Sequence, residues 1–406
     1  MSTYKRKASL SVIFATVFID LTGFGILIPI LPTFATKQLS MNDFEIGMVV
    51  AIFSLCQFIF NPVLGRFSDK VGRRPIIIGS LAVTAVSYII FSFADSFLVL
   101  MLSRFLAGIG GSNIGVAQAY IADVTEKEER SKGMGLIGAA FGLGFVFGPM
   151  IGGFLSKYSY TVAGFGSASF SFMAMLFSFF LLPESLKEKK KDGKISLKLF
   201  DLKFTAKTLS RPTLGLLIIL FFIIVFSMAN IYGTFAILGY KVYHFTDQQN
   251  GYLFGIIGIV GAAMQGGFIR IIVKKISDKT LVLIGTFLMM LGLGFMPYGV
   301  NFLGMSVIVT VLSLGTGLLQ PVVLSMVSKY SPDHEQGAVL GLNQSFAAFA
   351  RVLGPLWGGF AFDFLGYQFP FLTGAVFTFV TFFITLFLLN SGKKTEVTAD
   401  VQSSEY

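Results

Sequence analysis

The chain has 406 residues, of which 54% are hydrophobic and only 13% are charged, and it contains 47 phenylalanines. Soluble domains carry about a quarter charged residues, so this composition excludes an ordinary soluble protein. The net charge of +10 is compatible with a nucleic-acid partner, but the positions of the basic residues, described below, exclude that interpretation.

Apolar segments long enough to cross a bilayer as helices recur along the whole chain. Their residues do not alternate between polar and apolar as the strands of a membrane β-barrel do. We therefore predict an all-α integral membrane protein with 12 transmembrane helices. The predicted crossings are 8–34, 46–64, 75–94, 97–122, 133–155, 161–182, 213–239, 249–273, 280–299, 303–328, 338–361 and 367–390.

The basic residues lie almost entirely on one side of the predicted crossings. If the N-terminus is cytoplasmic, 26 of the 31 Lys and Arg residues fall in cytoplasmic segments and three fall in external loops. The remaining two, Arg104 and Arg351, lie within crossings. This bias follows the positive-inside rule and predicts that both termini are cytoplasmic. The charge therefore indicates topology and contact with membrane lipids, and we expect no nucleic-acid binding.

The first crossing contains the sharpest candidate site, Asp20, which lies near the middle of an apolar segment. A charge at the bilayer centre costs about 2.5–3.5 kcal/mol on insertion scales. Such a carboxyl can take up and release a proton, or it can be a permanently paired group that only shapes a cavity. We expect its partner to be Arg104 in the fourth crossing, although that arginine can instead be a structural hydrogen-bond donor.

A short polar turn, Gly65–Ser80, separates the second and third crossings. Gly65 is expected to let the two helices approach, and Gly72 to permit a tight turn. Asp69 can sit against a helix N-terminus. Either arginine of the turn can pair with Asp123, at the cytoplasmic end of the fourth crossing. The candidate residues of this turn are Gly65, Asp69, Gly72, Arg73, Arg74 and Asp123.

Two glycine–proline patterns show that the chain repeats itself at a distance of 206 residues. Small residues favour close helix packing, and each proline bends its helix. These helices are either rocking contacts between two halves or ordinary packing surfaces. Shorter repeats precede the second and eighth crossings, Asn42-Asp43-x3-Gly47 and Thr246-Asp247-x3-Gly251. The residues of the glycine–proline patterns are Gly144, Gly148, Pro149 and Gly152, and then Gly354, Pro355 and Gly358.

The repeat predicts two six-helix bundles, 1–182 and 213–390, related by a pseudo-twofold axis along the membrane normal. The segment 183–212 between them is a basic cytoplasmic linker. Its residues Ile195, Leu199, Leu202 and Leu209 fall near one helical face, which indicates an amphipathic helix on the membrane surface. The tail 391–406 is polar, and we expect it to be cytoplasmic and disordered.

The motifs of the chain resemble those of a known family. Gly65-x3-Asp69-x2-Gly72-Arg73-Arg74 is similar to the signature loop of the major facilitator superfamily. Asp20-x2-Gly23-x-Gly25-x3-Pro29-x-Leu31-Pro32 and Arg104-x3-Gly108-x-Gly110 resemble motifs of its twelve-helix drug/proton antiporters, the group that holds the tetracycline exporters. The glycine–proline pattern resembles that group's antiporter motif. The resemblance covers the whole membrane portion, and it implies export by alternating access and a cytoplasmic latch at the polar turn rather than a purely topological anchor.

Several polar residues of the crossings are candidates to line a substrate cavity. Arg351 has no acid at membrane depth in the second half, so it can attract an anionic or zwitterionic substrate or bond to groups at a packed interface. Asn113 falls on the opposite helical face from Arg104, and of the two we expect Arg104 to face the cavity. The candidates for substrate binding are Gln57, Gln118, Asn230, Gln265 and Arg351, with Tyr232 and Gln320 as further cavity-lining residues.

No motif for enzymatic chemistry accompanies these features. The single Cys56 excludes an internal disulfide and a multi-thiolate zinc site, and no phosphate-binding loop is present. We expect no cofactor and no metal, and we expect a monomer in a bacterial cytoplasmic membrane, driven by an ion gradient. The favoured function is a proton-coupled exporter of small amphipathic compounds, in which Asp20 carries the proton and Arg104 senses it. The alternatives are an importer or facilitator of an organic anion or sugar, and a receptor or scaffold without transport.

Overall fold

The computed structural model describes residues 3–125, 130–186, 202–332 and 336–402. Within these ranges the chain is helical and contains no strand, which confirms the predicted all-α class. The α-helices are α1 (Thr3–Leu39), α2 (Asp43–Val71), α3 (Arg73–Ser92), α4 (Phe97–Gly110), α5 (Ile114–Val124), α6 (Arg130–Leu155), α7 (Tyr160–Leu181), α8 (Leu202–Leu209), α9 (Pro212–Lys241), α10 (Asp247–Ala263), α11 (Ile269–Ile272), α12 (Asp278–Phe295), α13 (Phe302–Lys329), α14 (Gln336–Phe364) and α15 (Phe369–Gln402).

Ten helical segments of the described chain are long and apolar enough to cross a membrane, and they coincide with ten of the predicted crossings. The predicted crossing at 249–273 is formed by α10 and α11, which a π-helical turn at Met264–Phe268 joins. The predicted crossing at 338–361 lies within α14. The fold is therefore that of a multi-pass membrane protein, while the number of twelve crossings and the orientation of the termini stay predictions.

The chain divides into two compact units that do not follow the order of the sequence. The first unit joins the six N-terminal crossings to parts of α9, α10 and α14. The predicted division into bundles at 1–182 and 213–390 stays a prediction. The first unit consists of Met1–Ser196, Ala229–Ile259 and Arg351–Tyr367, and the second of Leu197–Met228, Val260–Ala350 and Gln368–Tyr406.

The structure can be compared with the predictions made for the linker and for the C-terminal tail. Helix α8 (Leu202–Leu209) lies within the expected amphipathic segment, and residues 187–201 lie outside the described part. Helix α15 is described as far as Gln402, and the expectation of a disordered tail stays a prediction. The segment contains Lys, Glu and Ala, which favour a helix, and it contains no proline.

The core of the first unit lies where α1, α3, α5, α6 and α7 meet. Ile13, Leu81, Tyr120 and Ala140 are fully buried there. In the second unit α12 packs closely on α13, since a methyl group added to Gly292 would meet Leu312 at 2.6–2.9 Å. Small residues thus allow close helix packing in both units.

The turns before α2 and α10 show the same local structure, which supports the predicted repeat. Asn42 and Glu45 form a capping box, in which each side chain accepts the other residue's backbone N–H, at 2.8 and 2.9 Å. Thr246 and Gln249 do the same before α10, at 3.2 and 2.9 Å. Each box satisfies backbone donors that the first turn of a helix would otherwise leave free.

Candidate functional site

Asp20 lies on α1 in the interior of the first unit, where only 6% of its surface is exposed. The Ser171 hydroxyl on α7 donates a hydrogen bond to one carboxyl oxygen at 2.8 Å. The Asn113 side-chain amide donates to the other oxygen at 3.3 Å. Both donors are neutral, so the hydrogen bonds of this carboxyl come from uncharged groups.

Asn113 lies at a break in the fourth predicted crossing, which is not one regular helix. A 3₁₀ turn at Gly111–Asn113 separates α4 from α5. Gln57 on α2 donates to the Gly111 carbonyl at 3.1 Å and so holds this turn. Asn113 and Arg104 therefore contact different groups, and the expectation that Arg104 is the one that faces the cavity stays a prediction. Gln57, a predicted substrate contact, bonds backbone in this structure.

Arg104 on α4 does not contact Asp20. Its guanidinium lies over the Phe53 ring, 4.9 Å from the centroid, and only 4% of the residue is exposed. Within the described chain its Nε and Nη1 have no hydrogen-bond partner, and no ion pair joins it to an acid. The predicted contact between Asp20 and Arg104 was therefore wrong for this structure, because neutral donors hold the carboxyl instead.

The arrangement around Asp20 can accommodate either protonation state. A hydroxyl can donate to a carboxylate or accept from a carboxylic acid, so Ser171 can turn its proton either way. The Asn113 amide supplies a donor to the ionised form. Burial among neutral groups, rather than pairing with a cation, is what sets the chemistry of this carboxyl.

The polar turn between α2 and α3 is a network centred on Arg73, which is buried. Its Nε donates to Asp123 at 3.1 Å, which confirms one of the two predicted pairings. Its Nη2 lies 2.6 Å from Asp69, so Asp69 does not sit against a helix N-terminus as expected. Arg74 instead donates to the Phe179 carbonyl at 2.6 Å. All of these residues belong to the first unit.

Glu184, which the sequence analysis missed, takes the place expected for Asp69. Its carboxylate accepts the backbone N–H groups of Arg73 at 2.9 Å and Arg74 at 3.2 Å, at the start of α3. A negative charge there is favourable because it faces the positive end of the helix dipole. The sequence carried only a weak signal, an acid directly after Pro183 at the end of the sixth crossing.

The two glycines of this turn have different roles. Gly72 has a φ of +124°, a conformation that side chains rarely adopt, which confirms the predicted tight turn. Gly65 lies inside α2, and a methyl group added to it would meet no atom within 4 Å. The expectation that Gly65 allows a close helix approach was wrong.

The first glycine–proline pattern packs α6 against α1. Methyl groups added to Gly144 or Gly148 would overlap Leu21 at 2.8 Å or Gly25 at 2.6 Å. A methyl group at Gly152 would overlap Ile26. The predicted close packing is thus confirmed for this pattern, and these contacts lie within the N-terminal helices.

The second pattern, on α14, behaves similarly. Gly354 is buried, and Gly358 lies directly against Asn230 on α9. Asn230 is itself buried, so in this structure it packs between two helices. Its predicted contact with substrate stays untested.

The two prolines also contact repeat-related glycines. A methyl group at Gly47, on α2, would overlap the Pro355 carbonyl, and one at Gly251, on α10, would meet the Pro149 carbonyl at 2.5 Å. These positions correspond in the two sequence repeats. The first unit therefore contains two equivalent close contacts, each between a glycine and a helix that contains a proline.

Ion pairs accompany both of these contacts. Lys241 donates to both carboxyl oxygens of Asp43, at 2.7 and 2.8 Å. Lys37 lies 3.5 Å from Asp247, which also accepts a hydrogen bond from the Tyr160 hydroxyl at 2.7 Å. Each pair joins a lysine at a helix end to an aspartate at a helix start. Both lysines fall in predicted external loops, whereas no sequence pattern pointed to their aspartate partners.

The remaining candidates are spread over the helices. Gln118 on α5 and Gln265 in the π-helical turn are exposed, and Gln320 is half-buried. Arg351 is half-buried and interacts electrostatically with Tyr232 on α9. Their contacts with a substrate stay predictions. Within the part of the chain that the structure describes, no cluster of three or more His, Cys, Asp or Glu residues could hold a metal ion.

A row of aromatic rings, which the sequence analysis missed, connects the two arginines. Phe53 stacks on Phe24 with centroids 5.0 Å apart, Phe24 lies 6.1 Å from Phe145, and Phe145 lies 6.1 Å from Tyr232. Arg104 lies over the first ring of this row and Arg351 lies near the last. With 47 phenylalanines in the chain, no sequence pattern singles these out.

Comparison with known proteins shows to which family the chain belongs. The model of the Major Facilitator Superfamily matches residues 13–312 and 271–404. The chain is 28% identical over 374 residues to Multidrug resistance protein 2 of Bacillus subtilis, covering 91% of this chain and 92% of that protein. It is 28% identical over 360 residues to the class C tetracycline resistance protein of Escherichia coli, covering 87% and 89%.

The fold agrees with a solved transporter structure. The crystal structure of the human organic anion transporter MFSD10 (TETRAN) superposes with a TM-score of 0.70 at 24% identity, covering 95% of this chain and 100% of that one. This similarity concerns the fold. Together with the family match, it shows that the chain belongs to the major facilitator superfamily and is similar to the tetracycline and multidrug resistance proteins of its drug/proton antiporter group.

Proposed function

We propose that the protein is a proton-coupled exporter of small amphipathic compounds that works by alternating access. The observation that carries this proposal is the buried Asp20, held at 2.8 and 3.3 Å by neutral donors on α7 and at the 3₁₀ turn. A carboxyl without a cation partner is stabilised at membrane depth when it binds a proton. Resemblance to tetracycline and multidrug resistance proteins supports export as the direction.

The protonation of Asp20 changes which hydrogen-bond partners its carboxyl group needs. The ionised form favours two donors, whereas the protonated form offers a donor and needs an acceptor. A change in this bond shifts the relative stability of arrangements in which α1, α7 and the 3₁₀ turn pack differently. One proton moved across about 150 mV supplies about 3.5 kcal/mol, which corresponds to roughly 300-fold accumulation.

The polar turn has a second role in this proposal. The network of Arg73 with Asp69 and Asp123 orders the end of α2, α3 and α5, and it presents a rigid surface at the predicted cytoplasmic side. We propose that this surface latches against the C-terminal half in the other state of the cycle. We place the protein, as a monomer, in a bacterial cytoplasmic membrane.

The test is uptake into inverted membrane vesicles with an imposed pH gradient, with tetracycline, rhodamine 123 and fluorescein as probes. We expect accumulation of at least one probe by the wild type, and its loss in Asp20→Asn at equal expression. The matched control is Asp95→Asn, since Asp95 is an exposed acid in the loop before α4 and should be dispensable. Gradient-driven accumulation that persists in Asp20→Asn would refute proton coupling at this residue.

The second candidate function is an importer or facilitator of an organic anion or sugar. It is favoured by Arg104 and Arg351, two arginines inside the predicted crossings that form no ion pair within the described chain. The organic anion transporter with the similar fold gives this candidate further support. The vesicle assay separates the two, because an importer moves the probe out of inverted vesicles, whereas an exporter concentrates it inside them.

A further inference from the structure

The aromatic row, defined as Phe53, Phe24, Phe145 and Tyr232, is formed by side chains from four different helices of the first unit. Its members come from α2, α1, α6 and α9 in that order. Consecutive rings lie 5.0, 6.1 and 6.1 Å apart, within the range in which aromatic rings attract each other. The row therefore marks a place where these four helices converge.

The rings of the row are not sealed into the core. Each of the four is half-buried, whereas neighbours on the same helices, such as Ile26 and Ile231, are fully buried. Because these rings contact one another across four helices, they point toward the interior between the helices and not outward to lipid. A flat aromatic ligand that enters where these helices converge can therefore contact several half-buried ring faces.

An arginine stands at each end of this row. Arg104 lies 4.9 Å above Phe53, is 4% exposed, and leaves Nε and Nη1 without a hydrogen-bond partner among the described residues. Arg351 interacts electrostatically with Tyr232 and forms no ion pair or hydrogen bond with another described residue. Asp20, the acid of the first crossing, pairs with neither arginine, and its oxygens accept hydrogen bonds from Ser171 and Asn113.

Buried guanidinium groups need a negative partner or a set of acceptors, because an isolated charge is unfavourable at membrane depth. The planar fork of arginine matches a carboxylate or sulfonate with two parallel hydrogen bonds. The same group stacks on aromatic faces, as Arg104 does on Phe53. The missing negative charge is therefore one that a ligand can supply.

We infer that the aromatic row and its two arginines form the substrate site, and that its substrates are planar aromatic anions carrying a carboxylate or sulfonate. The inference rests on the proposed transport function and narrows the substrate class. The ring system packs against Phe24, Phe53 and Phe145, and the acidic group bonds Arg104 or Arg351. A cation with the same ring system meets two positive charges and is disfavoured.

The test compares two dyes that share a xanthene ring but differ in charge, anionic fluorescein and cationic rhodamine 123. Binding to the purified protein in detergent is measured by fluorescence anisotropy without any gradient, so it does not depend on proton coupling. We expect fluorescein to bind at least tenfold more tightly than rhodamine 123. We expect Arg104→Gln and Arg351→Gln each to weaken fluorescein binding by at least tenfold.

Controls separate this site from general charge effects. Lys157→Gln removes one exposed positive charge outside the row and should leave fluorescein affinity unchanged. Arg104→Lys keeps the charge and should restore part of the affinity. Equal or tighter binding of rhodamine 123 by the wild type would overturn the inference, whether or not the arginine variants fold. Unchanged fluorescein affinity in both folded arginine variants would also overturn it, while loss of transport in Asp20→Asn would concern only the coupling.

Discussion

The ion pair between Lys241 and Asp43 allows a quantitative prediction of how two substitutions differ. Asp43 is 3% exposed and receives both hydrogen bonds of a bidentate contact, whereas the Lys241 side chain is 35% exposed. A second carboxyl, that of Asp363, also interacts with Asp43 and accepts the Phe44 backbone N–H at 2.8 Å. Lys241 thus neutralises a buried carboxyl that has a second acid beside it.

The asymmetry in burial sets the expected magnitudes. Exposed ion pairs contribute about 0.2–1 kcal/mol, whereas breaking a buried pair costs about 3–5 kcal/mol. Lys241→Met leaves Asp43 buried without its cation, so we expect the free energy of unfolding to fall by about 3 kcal/mol. Asp43→Asn leaves a lysine that can reach water, so we expect a loss of about 1 kcal/mol. The coupling energy in the double-mutant cycle should be about 2 kcal/mol.

The assay is denaturant unfolding of the purified protein in detergent. Cys56 is the single cysteine of the chain and is buried, so its reaction with a thiol-specific dye reports unfolding without an added label. The matched control is Lys37→Met, since Lys37 approaches Asp247 only at 3.5 Å and that aspartate keeps the hydrogen bond from Tyr160 at 2.7 Å when the lysine is removed. We expect that control to lower the free energy of unfolding by less than about 1 kcal/mol.

The reasoning would be refuted by the opposite order of effects. If Asp43→Asn destabilises as much as Lys241→Met, burial of the carboxyl is not what makes the pair important. If the two single effects simply add in the double variant, the two side chains do not interact in solution. Either result would remove this ion pair as a stabilising contact of the first unit.

Three further predictions, which involve five substitutions, are tested by the same unfolding measurement. Gly72→Ala should destabilise by about 1–3 kcal/mol because its backbone conformation suits only glycine, whereas Gly65→Ala should leave stability unchanged or raise it by up to about 1 kcal/mol. Gly148→Ala should destabilise by about 1–3 kcal/mol through overlap with the α1 backbone, while Gly138→Ala, with no atom within 4 Å, should not. Glu184→Gln should cost about 1 kcal/mol by removing the charge at the start of α3. Equal effects within either glycine pair, or an unchanged Glu184→Gln, would contradict these contacts.

Local features of the polar turn were predictable from the sequence because they depend on neighbouring residues and charge. Gly72 was expected at a tight turn, and the pairing of Arg73 with Asp123 followed from opposite charges at one predicted membrane surface. Glu184 was not found, because its position beside α3 depends on how α7 returns to that helix. The role of Gly65 was also predicted wrongly, because the sequence does not show whether another helix lies beside a glycine.

The site around Asp20 was only half predictable. Asp20 itself was identifiable as a charge in an apolar segment, but its partner was taken to be the arginine of the fourth crossing, because neutral donors such as Ser171 and Asn113 carry no comparable signal. A 3₁₀ turn advances by about 120° per residue and an α-helix by about 100°. The three residues Gly111–Asn113 therefore rotate the following side chains by about 60°, and the facing of Asn113 relative to Arg104 changes. Glycines at 110 and 111 permit this turn, but they also occur in regular membrane helices.

The repeat-related contacts of Gly47 and Gly251 with the carbonyls of Pro355 and Pro149 have a practical consequence. Each glycine has room only for a hydrogen atom beside the proline carbonyl, so any larger side chain would push the two helices apart. Alanine at either position should drive the molecule out of the packing seen here and into whichever alternative separates those helices. Two single-methyl variants would then give crystallographers and spectroscopists a means of enriching a second state without inhibitor or antibody.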